Sequence, residues 1–109
     1  MRTLGTAAFD FPLGATVYQV RHRKGRITGA TRRDIGRHVE PDELWALAER
    51  LGRRAALLDA LDEQTDAVHL SRIYGDHEGR RVLGEMAGKG SRSARIAIDM
   101  LMEKETTRP

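Results

Sequence analysis

No cysteine occurs in the 109 residues, the aromatic side chains are only Phe9, Phe11, Tyr18, Trp45 and Tyr74, and apolar runs are short. Without cysteine there is no disulfide framework and no thiolate metal site, which fits a reducing cytoplasm. The longest apolar stretch, Ile96 to Met102, is interrupted by Asp99 and falls far short of the ~20 residues a spanning helix requires. Asp10 and Pro12 interrupt the region where a signal peptide would keep its apolar core, so neither export nor a membrane partner is expected. The scarcity of aromatics argues against a single-strand binder, because such proteins stack successive bases on several rings. Only Tyr18 lies within the basic region described next.

Cations, by contrast, are abundant and segregated. Between Arg21 and Arg37 stand Arg21, Arg23, Lys24, Arg26, Arg32, Arg33 and Arg37 against a single acid, Asp34. Residues 1–39 hold eight Lys or Arg and two acids, a net +6, while residues 40–109 hold eleven and fourteen, a net −3, together the overall +3. Clustered cations gain most from a polyanion, whose condensed counterions they release. The expected partner is therefore nucleic acid or an acidic protein surface, and a purely protective charged sheet edge is the competing reading.

With 39% apolar and 32% charged residues, the chain is too hydrophobic for wholesale disorder. Its length suits one domain, read as a basic β-rich head over 1–39, a helical body over 40–105 and a frayed tail over 106–109. In the head, residues 1–15 read as an irregular lead-in, given Gly5, Pro12 and Gly14. Thr16–Arg23 alternates as a strand, with Tyr18, Val20 and His22 on one face and Val17, Gln19, Arg21 and Arg23 on the other. Lys24-Gly25 would turn the chain into a return strand from Arg26 to Thr28, which Gly29 and Gly36 weaken beyond that point. A flexible arm over 16–33 would keep the charge argument and lose the hairpin geometry.

In the body, Pro41 with Asp42 and Glu43 marks a helix start. Leu44, Leu47, Ala48, Leu51, Ala55, Leu58 and Leu61 then follow helical spacing, with Gly52 as a bend. Leu44, Leu51 and Leu58 also fall at seven-residue steps, so a homodimer seam is an alternative to an intramolecular core. Trp45 is assigned to the core. Thr65 would cap a short helix ending before Gly75, although Val68, Leu70, Arg72 and Tyr74 also alternate like a strand. Further helices are expected from about Glu78 to Ala87 and, capped by Ser91 or Ser93, to about Glu105. The fold class is thus α+β, a basic N-terminal hairpin or small sheet packed on three to four helices.

A second candidate surface comprises Lys89, Ser91, Arg92 and Arg95, where a helix-turn-helix would present its second helix to a groove. Its turn is one residue too long, and Gly79 and Gly84 burden its first helix by up to about 1 kcal/mol each. A plain helical hairpin explains the same string. A phosphate-binding loop is excluded at Gly84–Ser91, since three residues separate its glycines where four are needed. His22, His38, His69 and His77 lack metal-ligand spacing, and Asp76-His77-Glu78 reads as loop. Asp66, His69 and Ser71 have no oxyanion hole or nucleophile elbow to accompany them. No catalytic residue, metal site or cofactor is expected, and the chain reads as a non-enzyme.

The leading expectation is a small cytoplasmic DNA-binding regulator or accessory factor that contacts duplex phosphates through the hairpin. The alternative is a protein-interaction module, an inhibitor of the phage or plasmid kind directed at a host nucleic-acid-handling complex.

Overall fold

Alternating residues build a four-stranded antiparallel sheet from β1 (Ala7–Leu13), β2 (Thr16–Arg23), β3 (Arg26–Arg32) and β4 (Arg37–Val39), hydrogen-bonded in sequence order. Four helices follow, α1 (Pro41–Arg50), α2 (Arg54–Ile73), α3 (His77–Gly88) and α4 (Arg92–Thr106). The computed structural model describes residues 7–106. The α+β class read from the sequence is the observed one. The first six residues of the expected lead-in and the tail beyond Thr106 lie outside the described residues.

Two compact units divide the chain, Met1–Asp62 and Glu63–Pro109, with the boundary inside α2. In the first unit one face of the sheet is apolar. Phe11 and Leu13 of β1, Tyr18 and Val20 of β2, Ile27 and Ala30 of β3 and Val39 of β4 are all buried. Leu44, Ala48, Leu57 and Leu61 complete this core, with Trp45 partly buried against it. Losing a fully buried leucine such as Leu44 or Leu57 would cost about 2–5 kcal/mol.

The segment 7–13, read as irregular, is a strand. Pro12 removes one ladder donor, and an edge strand tolerates that loss, which is where β1 lies. Strand β3 likewise runs past Gly29 to Arg32, because Ala30, Thr31 and Arg32 pair with both β2 and β4.

Lys24 and Gly25 both adopt positive φ, 51° and 79°, the requirement of a two-residue turn matched to the sheet twist. Helix α1 begins with Pro41 at its first turn beside Asp42 and Glu43. It stops where Gly52 takes φ 69°, with Gly52 N–H donating to the Glu49 carbonyl and Arg53 N–H to that of Ala48. The leucine stripe is cut at this point. Leu44 is buried, whereas Leu51 and Leu58 are 45% and 48% exposed, so the three do not form one continuous seam.

In the second unit Ala67, Leu83, Ala94, Ala97 and Leu101 form a core with Leu70, Tyr74, Met86 and Ile98 against it. The alternation from Val68 to Tyr74 does not yield a strand, since Arg54–Ile73 is one uninterrupted helix and Thr65 lies inside it. Asp76 caps α3 by accepting from Gly79 N–H at 2.6 Å. Among the described residues no helix is long and apolar enough to cross a membrane.

Candidate nucleic-acid interface

Because side chains alternate across a strand, the seven cations of the basic segment do not share one surface. Arg21 and Arg23 of β2 point away from the buried Tyr18, Val20 and His22. Arg26 sits directly across from Arg23, and Lys24 is in the turn between them. Four cations, Arg21, Arg23, Lys24 and Arg26, therefore gather at the outer face and tip of the β2–β3 hairpin. No acid forms an ion pair with Arg23, Lys24 or Arg26 among the described residues. Strand β4 pairs only with Ala30, Thr31 and Arg32, so the β3 edge from Arg26 to Gly29 has no neighbouring strand among the described residues.

The other three lie at the opposite end of β3, six residue steps or about 20 Å away. There each meets an acid. Arg32 Nε is 2.9 Å from Asp34, Arg33 Nη1 2.9 Å from Asp10 and Arg37 Nη2 3.6 Å from Glu43. Exposed pairs of this kind add little stability, but they cancel the local field beyond a Debye length of about 10 Å. Asp10 comes from β1 and Glu43 from α1, so counting acids between residues 21 and 37 missed two of the three partners.

Arg21 is held differently. Its Nη1 donates to Thr31 Oγ1 at 2.7 Å, and its Nη2 lies 3.2 Å from His38 Nδ1. His38 Nε2 is in turn 2.9 Å from Glu40 Oε1. Gly29 opposite Arg21 makes room for this bridge, since a Cβ there would stand 3.0 Å from His38 Cε1 and 3.3 Å from Arg21 Nη2. By sequence spacing alone His38 is no metal ligand, and nothing there joins it to Arg21. Its place on a strand with outward parity to Thr31 was the signal that ties it to Arg21.

Beneath the tip, His22 is 2% exposed, its Nε2 has no hydrogen-bond partner, and its ring meets Phe9 edge-on at 5.5 Å. Burial lowers its pKa, which favours the neutral ring on the core side of the hairpin. Phe9, Phe11 and Tyr18 also share this inner side, so the outer face offers none of these rings for base stacking.

In the second unit, Lys89, Gly90 and Ser91 connect α3 to α4. Gly90 at φ 98° ends α3, while Ser91 N–H donates to the Met86 carbonyl and Ser91 Oγ accepts from Ala94 N–H at 3.2 Å. Ser91 is thus engaged in joining two helices. Arg92 lies 3.7 Å from Glu63, and Lys89 and Arg95 are exposed.

Ser71 Oγ donates to the Val68 carbonyl at 2.8 Å within α2, and Asp76 is the α3 cap. Among the described residues no three His, Asp or Glu side chains gather as a metal-binding group. No family model, curated protein or solved structure matches this chain.

Proposed function

We propose that the protein is a small cytoplasmic nucleic-acid-binding regulator or accessory factor whose β2–β3 hairpin contacts the phosphates of duplex DNA. The observation that carries this reading is the gathering of Arg21, Arg23, Lys24 and Arg26 on one outer face while acids neutralise the cations at the far end. A two-stranded antiparallel ribbon fits a major groove about 12 Å wide, and guanidinium groups match phosphate oxygens in a fork. Phe9, Phe11 and Tyr18 of the sheet face inward, which favours backbone contact over base stacking.

The test is fluorescence anisotropy of labelled duplex DNA, single-stranded DNA and RNA across a salt series. Four phosphate contacts give a log-log salt slope of about −3.6, and replacing Arg23, Lys24 and Arg26 by Ala should flatten it to about −0.9. Replacing Arg32, Arg33 and Arg37 by Ala should leave the slope nearly unchanged, because these cations already face acids. Absence of binding at about 50 mM salt would overturn the reading. It would redirect the same face to an acidic protein partner, as in an inhibitor of a nucleic-acid-handling complex.

A further inference from the structure

We propose that Arg21 and His38 form a proton-linked phosphate subsite on the outer sheet face, where binding of a phosphate group is accompanied by proton uptake at the His38 ring. For a nucleic-acid phosphate the subsite rests on the hairpin reading above, which it extends by a regulation.

The hydrogen-bond chemistry requires a neutral ring in the unliganded arrangement. A guanidinium has donors and no acceptor, so His38 Nδ1, at 3.2 Å from Arg21 Nη2, must be the unprotonated nitrogen. The proton then sits on Nε2, which donates to Glu40 Oε1 at 2.9 Å. With His38 neutral, Arg21 is the one cation of the group and Glu40 its one anion, so the group as a whole carries no net charge. A proton added at Nδ1 sets one N–H against another across 3.2 Å and makes the group a net cation. A phosphate oxygen between the two nitrogens resolves that conflict by accepting from both, as charge-assisted bonds do.

Three further features suit the site to this role. Thr31 Oγ1 anchors Arg21 Nη1, so the guanidinium is already positioned on the sheet. The His38 side chain is 57% exposed, so a phosphate reaches it without opening the fold. Gly29 supplies the floor over which the two side chains meet, where a Cβ would press on both. The groups facing His38 are Arg21 from β2, Gly29 and Thr31 from β3, and Glu40 following β4. Neighbouring Arg37 pairs with Glu43 and Val39 is buried in the core.

The test uses the full chain, its His38→Gln variant and its Gly29→Ala variant at pH 6.0 and 8.0. Anisotropy with labelled duplex DNA forms one arm, and ring-nitrogen NMR of His38 titrated with inorganic phosphate forms the other. Wild type should bind duplex roughly three- to fivefold more tightly at pH 6.0 than at pH 8.0, the scale of one exposed charge contact. Both variants should lose that ratio, while phosphate should convert the wild-type ring towards imidazolium. His22 is present in every sample, so its own titration does not mimic the difference. Duplex binding whose pH ratio is the same in His38→Gln as in wild type overturns the subsite and leaves the hairpin reading standing. Phosphate-driven protonation of His38 without duplex binding supports the subsite for free phosphate and sinks the hairpin reading, and absence of both effects overturns the two together.

Discussion

His22 carries an imidazole into a core where its Nε2 finds no partner, and burial lowers its pKa below that of an unfolded chain. The linkage has a definite sign. In the unfolded chain the ring takes a proton below about pH 6.5, whereas in the fold it resists doing so, so its contribution is complete above that pH and is lost as pH falls. Urea midpoints should accordingly drop between about pH 6.5 and 5 in wild type, and His22→Leu should remove much of that drop. An identical pH profile in the variant would show that His22 does not govern acid sensitivity. This residue's side was legible, because strict alternation from Val17 to Arg23 assigned Tyr18, Val20 and His22 to one face. The bridge from Arg21 to His38 was not, since it joins residues 17 apart whose meeting depends on β3 lying between them and on Gly29 having no side chain.

Among the elements, α3 offers the sharpest contrast, because two of its glycines have opposite surroundings. A Cβ on Gly79 would lie 2.7 Å from Tyr74 Cα and 2.8 Å from Asp76 Oδ1, whereas one on Gly84 would meet nothing within 4 Å. Gly79→Ala should therefore destabilise by about 1–3 kcal/mol through overpacking at the cap. Gly84→Ala should instead stabilise by up to about 1 kcal/mol through helix propensity. Equal shifts of the two denaturation midpoints would contradict this account. The start of α1 was legible from Pro41, Asp42 and Glu43, and the α4 cap was narrowed to Ser91 or Ser93, of which Ser91 is the one that accepts from Ala94. The run of α2 through Thr65 was not legible, because a single threonine suggests a cap wherever the next residues are polar. The tertiary packing of Leu57, Leu61 and Ala67 outweighs that local preference. The leucine stripe misled for a related reason: helical spacing continues across Gly52 in the sequence, while the left-handed backbone at Gly52 ends α1.

On the scale of the whole chain, net charge divides by unit. Residues 1–62 hold eleven Lys or Arg and eight acids, a net +3, and residues 63–109 hold eight of each, a net zero. The first unit thus supplies the entire excess, and polyanion binding should track it. Replacing Lys89 and Arg95 by Ala is expected to change the duplex salt slope by much less than the hairpin substitutions, and an equal change in the same titration would assign the contact to the second unit. Charge segregation was legible in the sequence, but only four of the seven cations in the basic segment form one surface. The rest are answered by Asp10, Asp34 and Glu43, two of which the fold brings in from β1 and α1. The order of the sheet has a kinetic consequence as well. Every strand pairs with its neighbour in sequence, across turns of two, two and four residues, so closing each loop forfeits little chain entropy. A meander of this kind has low contact order, and its hairpins can zip on a timescale of about 1–10 μs. The strand pair that displays Arg21, Arg23, Lys24 and Arg26 is closed by a loop of only two residues, so its register need not wait for any distant part of the chain.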